Sequence, residues 1–309
     1  MPESTKEAAD YILPLYMNGL SGRMLIAPSV SKKKREMLLL YGHHAMLERW
    51  WPLVQNLRHY GNVTMPDLPG FGGMEGFDKI GSDINLDNYA DYLAAFVKLR
   101  YKNKRLTLLG ISYGFVIATR MLQRYPDMAK KVDLIVSFAG FMHKEDFLWR
   151  TQTRFIYGRV TRLFATRPLA FIIRYGFLNR PVIKGLTRAL PRSKHRHLGI
   201  SPETFEINMD FEVMIWHAND VRTHWLTTSQ FFKLDNTKTH IALPVEHIVS
   251  KGEHYFNNTV VEQHMRGVFA HYRKFQSASL AHVPHITAST EEVGVMLPAG
   301  LKRILAKKV

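Results

Sequence analysis

Short apolar runs recur along the chain with amphipathic stretches between them. The runs lie at 37–41 (MLLLY), 63–65, 106–109 (LTLL), 134–138 (LIVSF) and 245–249, each bounded by turn signals. Unbroken apolar runs of this length suit strands buried on both faces, as in a parallel sheet. Apolar residues at helical spacing fill 48–58, 88–99 and 116–124. The alternation of strand and helix over 37–141 predicts a doubly wound α/β core. An antiparallel edge hairpin is expected near 16–27, turning at Asn18-Gly19 or Ser21-Gly22.

After Gly140 the alternation stops. Residues 142–238 read as helical segments interrupted by Pro168, Pro181, Pro191 and Pro202. The α/β pattern returns after Pro244, with a strand at 245–249, a helix at 259–270, a last strand at 275–281 and a final helix at 291–305. The expected organisation is an α/β core built from 1–141 and 239–309, with 142–238 as an inserted helical cap.

With 309 residues, 46% hydrophobic and 22% charged, the chain can bury a core, and disorder is excluded. The absence of cysteine removes thiol nucleophiles, zinc-thiolate sites, iron–sulfur clusters and disulfide staples. The first twenty residues carry early acids and no basic segment before an apolar run, so no signal peptide is expected. Apolar stretches such as 106–119 are too short to span a bilayer. The expected location is cytoplasmic.

The formal charge of +16 is unevenly spread. Residues 147–202 contain 12 Lys and Arg and no Asp or Glu, which leaves 30 basic against 26 acidic residues elsewhere. The excess belongs to the first half of the inserted segment.

The chemistry centres on Gly110-Ile111-Ser112-Tyr113-Gly114, a GxSxG sequence with a buried strand running into it and a helix running out. Strand, sharp turn and helix lift a serine hydroxyl above the sheet. Such a serine needs a base within hydrogen-bond reach and a group to orient that base. The strand at 245–249 ends in Ser250-Lys251-Gly252-Glu253, which makes Glu253 the candidate acid, ahead of Asp235 and Asp146. Of fifteen histidines, His282 and His285 follow the last expected strand at the same edge of the sheet, and His282 is preferred as the base. Their His-x-x-His spacing lacks a third ligand, so no metal site is expected. Two backbone N–H groups should meet the developing oxyanion: that of Tyr113, after the nucleophile, and that of His43, in the loop after the 37–41 strand, with His44 in reserve.

These motifs carry a family resemblance. YGHHAMLERWW, MPDLPGFGG, GISYG and AHVPH occur in the order seen in the α/β-hydrolase superfamily, and the chain resembles that family over nearly its full length. The resemblance implies a mostly parallel sheet, an inserted helical cap and the chain order nucleophile, acid, histidine, matched here by Ser112, Glu253 and His282. Ser250 stands where the family usually has Gly, Glu253 where it usually has Asp, and Ala281 where Gly usually precedes the histidine. A serine at the nucleophile position disfavours the dehalogenase and epoxide-hydrolase branches, which use Asp there.

Aromatic residues in the second half of the insertion, Phe211, Trp216, Trp225, Phe231 and Phe232, suggest an apolar pocket, with His44, Trp216 and Trp225 as substrate contacts. The expected activity is hydrolysis of a carboxylic ester with a hydrophobic acyl or alcohol part, without metal or cofactor. Acyl transfer, lactone opening and carbon–carbon bond hydrolysis use the same triad, and a non-catalytic binding protein on this fold is the alternative of another class. The basic stretch interleaves arginines with Phe155, Ile156, Leu163, Phe171 and Tyr175. Its apolar side either packs over the active site or rests on an anionic membrane surface. Nucleic acid fits less well, since no recognised nucleic-acid motif accompanies the arginines.

Overall fold

The computed structural model describes residues 7–189, 201–279, 282 and 288–307. Among the described residues, eight strands form one sheet in the order β1-β2-β4-β3-β5-β6-β7-β8. They are β1 (Ile12–Met17), β2 (Leu20–Ala27), β3 (Arg35–Leu40), β4 (Gly61–Pro66), β5 (Leu106–Ile111), β6 (Val132–Phe138), β7 (Ile241–Ser250) and β8 (Phe269–Ser277). β1 pairs antiparallel with β2 and β2 with β4, while every pairing from β4 to β8 is parallel.

The central strands carry the unbroken apolar runs because helices cover both faces: all six residues of β5 and the last four of β3 are buried. The hairpin turns at Asn18-Gly19, where both residues have positive φ (54° and 79°). That pairing of conformations matches the strand twist, and Asn-Gly tolerates it best.

Helices α1 (Trp51–Leu57), α2 (Leu86–Arg100), α3 (Tyr113–Arg124) and α4 (Pro126–Ala129) lie between the core strands. Asn85 caps α2, its side chain accepting from the Asn88 N–H at 2.8 Å. The helix expected at 48–58 is a 3-10 turn (Leu47–Trp50) followed by α1, which starts at Trp51 with Pro52 in its first turn.

After β6 come α5 (Thr151–Phe164), α6 (Arg167–Ile172), a π turn (Ile173–Phe177), α7 (Arg180–Ala189), α8 (Pro202–Ala218) and α9 (Val221–Phe231). Arg174 fastens this group internally, donating to the carbonyls of Trp216 at 2.8 Å and His217 at 2.6 Å, where α8 leaves acceptors unsatisfied. Arg180 and Lys184 of α7 pair with Asp210 and Glu206 of α8 at 2.6 and 2.5 Å. Part of the basic excess is therefore neutralised within the insertion. Among the described residues no helix is long and apolar enough to cross a membrane.

The C-terminal part differs from expectation in two places. The last strand covers Phe269–Ser277 rather than 275–281, following α10 (Asn258–Val268). As the sheet edge it buries only its two end residues, so its polar sequence, FAHYRKFQS, lacks the apolar run that marks central strands. The final helix is divided into α11 (Thr290–Gly294) and α12 (Ala299–Ala306), because Pro298 removes a donor and ends the first segment's continuation.

The MPDLPGFGG turn is a structural fastening. Asp67 is fully buried and accepts from the Tyr41 hydroxyl at 2.9 Å and Arg23 Nε at 3.1 Å, while Tyr41 accepts from the Leu68 N–H at 2.8 Å. Arg23 also meets Glu48 at 2.6 Å. Asp67→Ala leaves buried donors without their acceptor, and a stability loss of about 3 kcal/mol is expected. Urea denaturation midpoints of the two proteins measure it.

Candidate active site

Three loops converge at the carboxyl edge of the sheet, those after β3, β5 and β7. Ser112 follows β5 directly and stands at the N-cap position of α3 with φ 49° and ψ −114°. Such a conformation is strained for a residue with a Cβ and persists only when the surroundings impose it. They do so by close approach. A Cβ on Gly110 would lie 2.4 Å from the Phe115 Cα, and one on Gly114 would lie 2.4 Å from the Leu40 carbonyl oxygen. The Ser112 N–H donates to the Phe138 carbonyl at 2.9 Å, which ties the turn to β6.

The loop after β3 presses on this turn. A Cβ on Gly42 would lie 3.3 Å from the Ser112 Cβ, so His43 follows directly beside the serine. Tyr113 is the first residue of α3, and its N–H therefore has no partner within the helix. Both backbone groups expected at an oxyanion belong to segments that touch Ser112.

The His43 ring faces away into the insertion. Its Nε2 lies 3.1 Å from the His224 carbonyl and 2.9 Å from Thr227 Oγ1. A carbonyl only accepts, so Nε2 carries the proton. Burial lowers the His43 pKa to about 4 despite the His224 carbonyl, and the ring is neutral.

Glu253 and His282 meet across the ends of β7 and β8. The His282 Nδ1 lies 2.6 Å from Glu253 Oε2, and Glu253 Oε1 accepts from the Tyr255 N–H at 2.8 Å. Burial pushes the Glu253 carboxyl up, but His282 and the N–H groups of Tyr255 and Phe256 outweigh it and hold the carboxyl below its ordinary value. The ionised carboxylate can only accept, so Nδ1 carries a proton, and in the neutral tautomer that this selects the lone pair is on Nε2. Because the folded pKa is depressed, the pair stabilises the fold fully above the ordinary glutamate pKa and ceases to do so as pH falls through the folded value. Glu253→Gln should flatten that acid limb, read as melting temperature against pH from neutral to about 3.

The competing acids are engaged elsewhere. Asp146 accepts from the Met142 and His143 N–H groups at 2.7 and 2.9 Å and lies 2.6 Å from His264 Nδ1. Asp235 holds the Thr237 N–H and hydroxyl at 3.0 and 2.7 Å. His285 lies outside the described residues.

Ser112 and His282 line one cavity of about 320 Å³. His43 and His44 are also among its lining residues, whereas Trp216 and Trp225, expected as substrate contacts, are not. Trp216 packs on His44 with ring centroids 4.1 Å apart, and Trp225 meets Phe164 at 5.0 Å, so both brace the insertion behind the cavity. The aromatic walls come instead from Phe141, Phe147, Trp149, Phe231 and Phe256. Of these only Phe231 belongs to the aromatic set singled out in the sequence. Phe147 and Trp149 open the basic stretch, and Phe256 stands three residues after Glu253, a proximity that marked it as a neighbour of the acid. His224, Glu212 and Arg49 are polar lining groups that sequence reasoning missed.

The sheet order and the strand–turn–helix at Ser112 give the chain the alpha/beta hydrolase fold. The profile of the alpha/beta hydrolase fold family matches residues 37–172. Among curated proteins, the chain is 29% identical over 115 residues to a pimeloyl-acyl-carrier protein methyl ester esterase of Shewanella woodyi, a match covering 37% of this chain and 41% of that protein. The chain thus matches about two fifths of the length of that relative. Among solved structures, MenH from S. aureus superposes with a TM-score of 0.65 at 12% identity, covering 92% of this chain and 99% of that one. A thermophilic esterase from Thermogutta terrifontis gives 0.59 at 15%, covering 95% and 94%. At these identities the structural likeness establishes the fold.

Proposed function

We propose that the protein hydrolyses a carboxylic ester with a hydrophobic acyl or alcohol part, through an acyl-enzyme on Ser112. The observation that carries the reading is the Glu253–His282 pair, 2.6 Å apart, opening on the cavity that Ser112 lines. The esterase relatives in both comparisons support the reaction class.

His282 Nε2 takes the hydroxyl proton as Ser112 Oγ bonds to the carbonyl carbon, and the carbonyl electron pair moves onto oxygen. The N–H groups of Tyr113 and His43 receive that oxyanion, each contributing about 3 kcal/mol to the transition state. Collapse expels the alkoxide, which takes the proton from His282. Water, deprotonated by the same imidazole, then releases the acid and restores Ser112. Glu253 holds the tautomer that leaves Nε2 basic and offsets the imidazolium charge. The phenylalanine walls bind the apolar part of the ester, and His44 and Glu212, with Nε2 and Oε2 3.9 Å apart, border it as polar contacts.

The test is intact mass after exposure to a fluorophosphonate, together with turnover of p-nitrophenyl esters of increasing chain length. A single adduct and turnover that improves from acetate towards longer chains is expected. A folded protein that takes no adduct, under conditions that label a control serine hydrolase, overturns the proposal.

A further inference from the structure

The described part of the acid-free stretch forms α5, α6, the π turn and α7, and its outer surface is apolar. Eleven of the nineteen exposed large hydrophobic side chains among the described residues lie between Leu148 and Leu186. Phe155, Ile156 and Leu163 of α5 are 60%, 58% and 56% exposed, while Thr161 is the one buried residue of that helix. The rings of Phe171 and Tyr175 meet at 4.6 Å, tilted by 50°, with 64% and 73% exposure. A helix on a water-facing surface normally turns its apolar side inward, and a contiguous exposed apolar surface marks an interaction site.

Arginines share this outer face. Arg159 and Arg162 stand at i+4 and i+7 from Phe155, and the Arg159 guanidinium lies 3.8 Å from the centre of the Phe155 ring. Arg159, Arg162 and Arg167 make no ion pair among the described residues, unlike Arg180 and Lys184. With no acid between 147 and 202, nothing in this stretch opposes an approaching anion.

We propose that the outer face of α5, α6 and the π turn docks on an anionic lipid bilayer. Phe155, Ile156, Leu163, Phe171 and Tyr175 enter the boundary between headgroups and acyl chains, and Arg159, Arg162 and Arg167 meet the phosphates. The aliphatic members distinguish this surface from a nucleic-acid platform, since Ile156 and Leu163 have no ring on which a base could stack. A second copy of the chain is disfavoured because the same face on both partners would oppose arginine to arginine. The inference is independent of the hydrolase reading, and Ser112→Ala should bind membranes as the wild type does.

The experiment is cosedimentation with vesicles of phosphatidylcholine containing about one third phosphatidylglycerol, and with phosphatidylcholine alone, at low and high salt. The wild type should partition onto the anionic vesicles and be released by salt. At about 1 kcal/mol for each basic residue near the surface, the triple change Arg159→Gln, Arg162→Gln, Arg167→Gln should weaken binding on the order of a hundredfold. Phe155→Ser with Phe171→Ser should weaken it at least about tenfold. All five positions are exposed, so melting temperatures should stay within a few degrees of wild type. Equal binding to neutral and anionic vesicles, or undiminished binding by either variant, overturns the proposal. Tighter binding to a single-stranded oligonucleotide, lost with the arginines alone, assigns the face to nucleic acid. A dimer that both variants abolish, with no vesicle binding, assigns it to a second copy.

Discussion

Ser112→Ala is expected to abolish fluorophosphonate labelling and to lower ester turnover by about 10⁴-fold or more. The fold should be unaffected, since the hydroxyl contributes no packing and alanine occupies the turn with the same Cβ. His282→Ala should be of similar size, because without its Nε2 nothing accepts the Ser112 proton. The two losses should not add, as each residue acts only through the other. Glu253→Gln separates orientation from charge: the amide can still meet His282 but offers no negative charge to an imidazolium, so a loss of about 10³-fold is expected with labelling slowed rather than abolished. A Ser112→Ala protein that turns over esters as wild type, with labelling retained elsewhere, would relocate the nucleophile. Progress curves of a soluble ester and intact mass at matched times supply both readouts.

The second large effect concerns the glycine that follows Ser112 by two residues. A Cβ at Gly114 would lie 2.4 Å from the Leu40 carbonyl oxygen and 2.6 Å from that of Tyr41. Both are backbone atoms at the end of β3, next to the loop carrying His43, so neither can yield without shifting a central strand. Gly114→Ala should destabilise the protein by about 3 kcal/mol through overpacking and move α3 away from β3. Activity should fall with it, because Ser112 and the Tyr113 N–H travel with that helix. Gly185→Ala is the control. Gly185 lies in α7 with nothing within 4 Å of an added Cβ, and alanine there should be neutral or stabilise by up to about 1 kcal/mol. Denaturation midpoints and ester turnover of the two variants decide the matter, and an unperturbed Gly114→Ala protein would contradict the close approach of α3 and β3.

The α/β order was legible because strand segments buried on both faces are mostly apolar, as the last four residues of β3, the Leu-rich β5 and the last five residues of β6 are. The elbow was legible for a local reason: flanking glycines are needed wherever a strand turns into a helix at contact distance from its neighbours. The position of β8 was not, since an edge strand exposed along most of its length has no apolar run to find. Trp216 and Trp225, expected at the substrate, lie outside the lining of the cavity for a different reason. An aromatic residue at helical spacing fits a pocket wall and a packing brace equally well, and only the docking of α8 and α9 against His44 and Phe164 separates the two.

By itself the sequence determined which segments become core strands, where the sharp strand-to-helix turn at Ser112 falls and that the positive charge collects in one stretch. These follow from neighbours along the chain: apolar runs, turn glycines and the absence of acids. Only the tertiary structure decided which carboxylate reaches which histidine. Glu253 and His282 are 29 residues apart and meet because β7 and β8 run parallel side by side, while Asp146 is drawn off to His264. It also decided which face of α5 meets water. The helical period is the same whichever way the helix is turned, and its orientation is set by what it packs against.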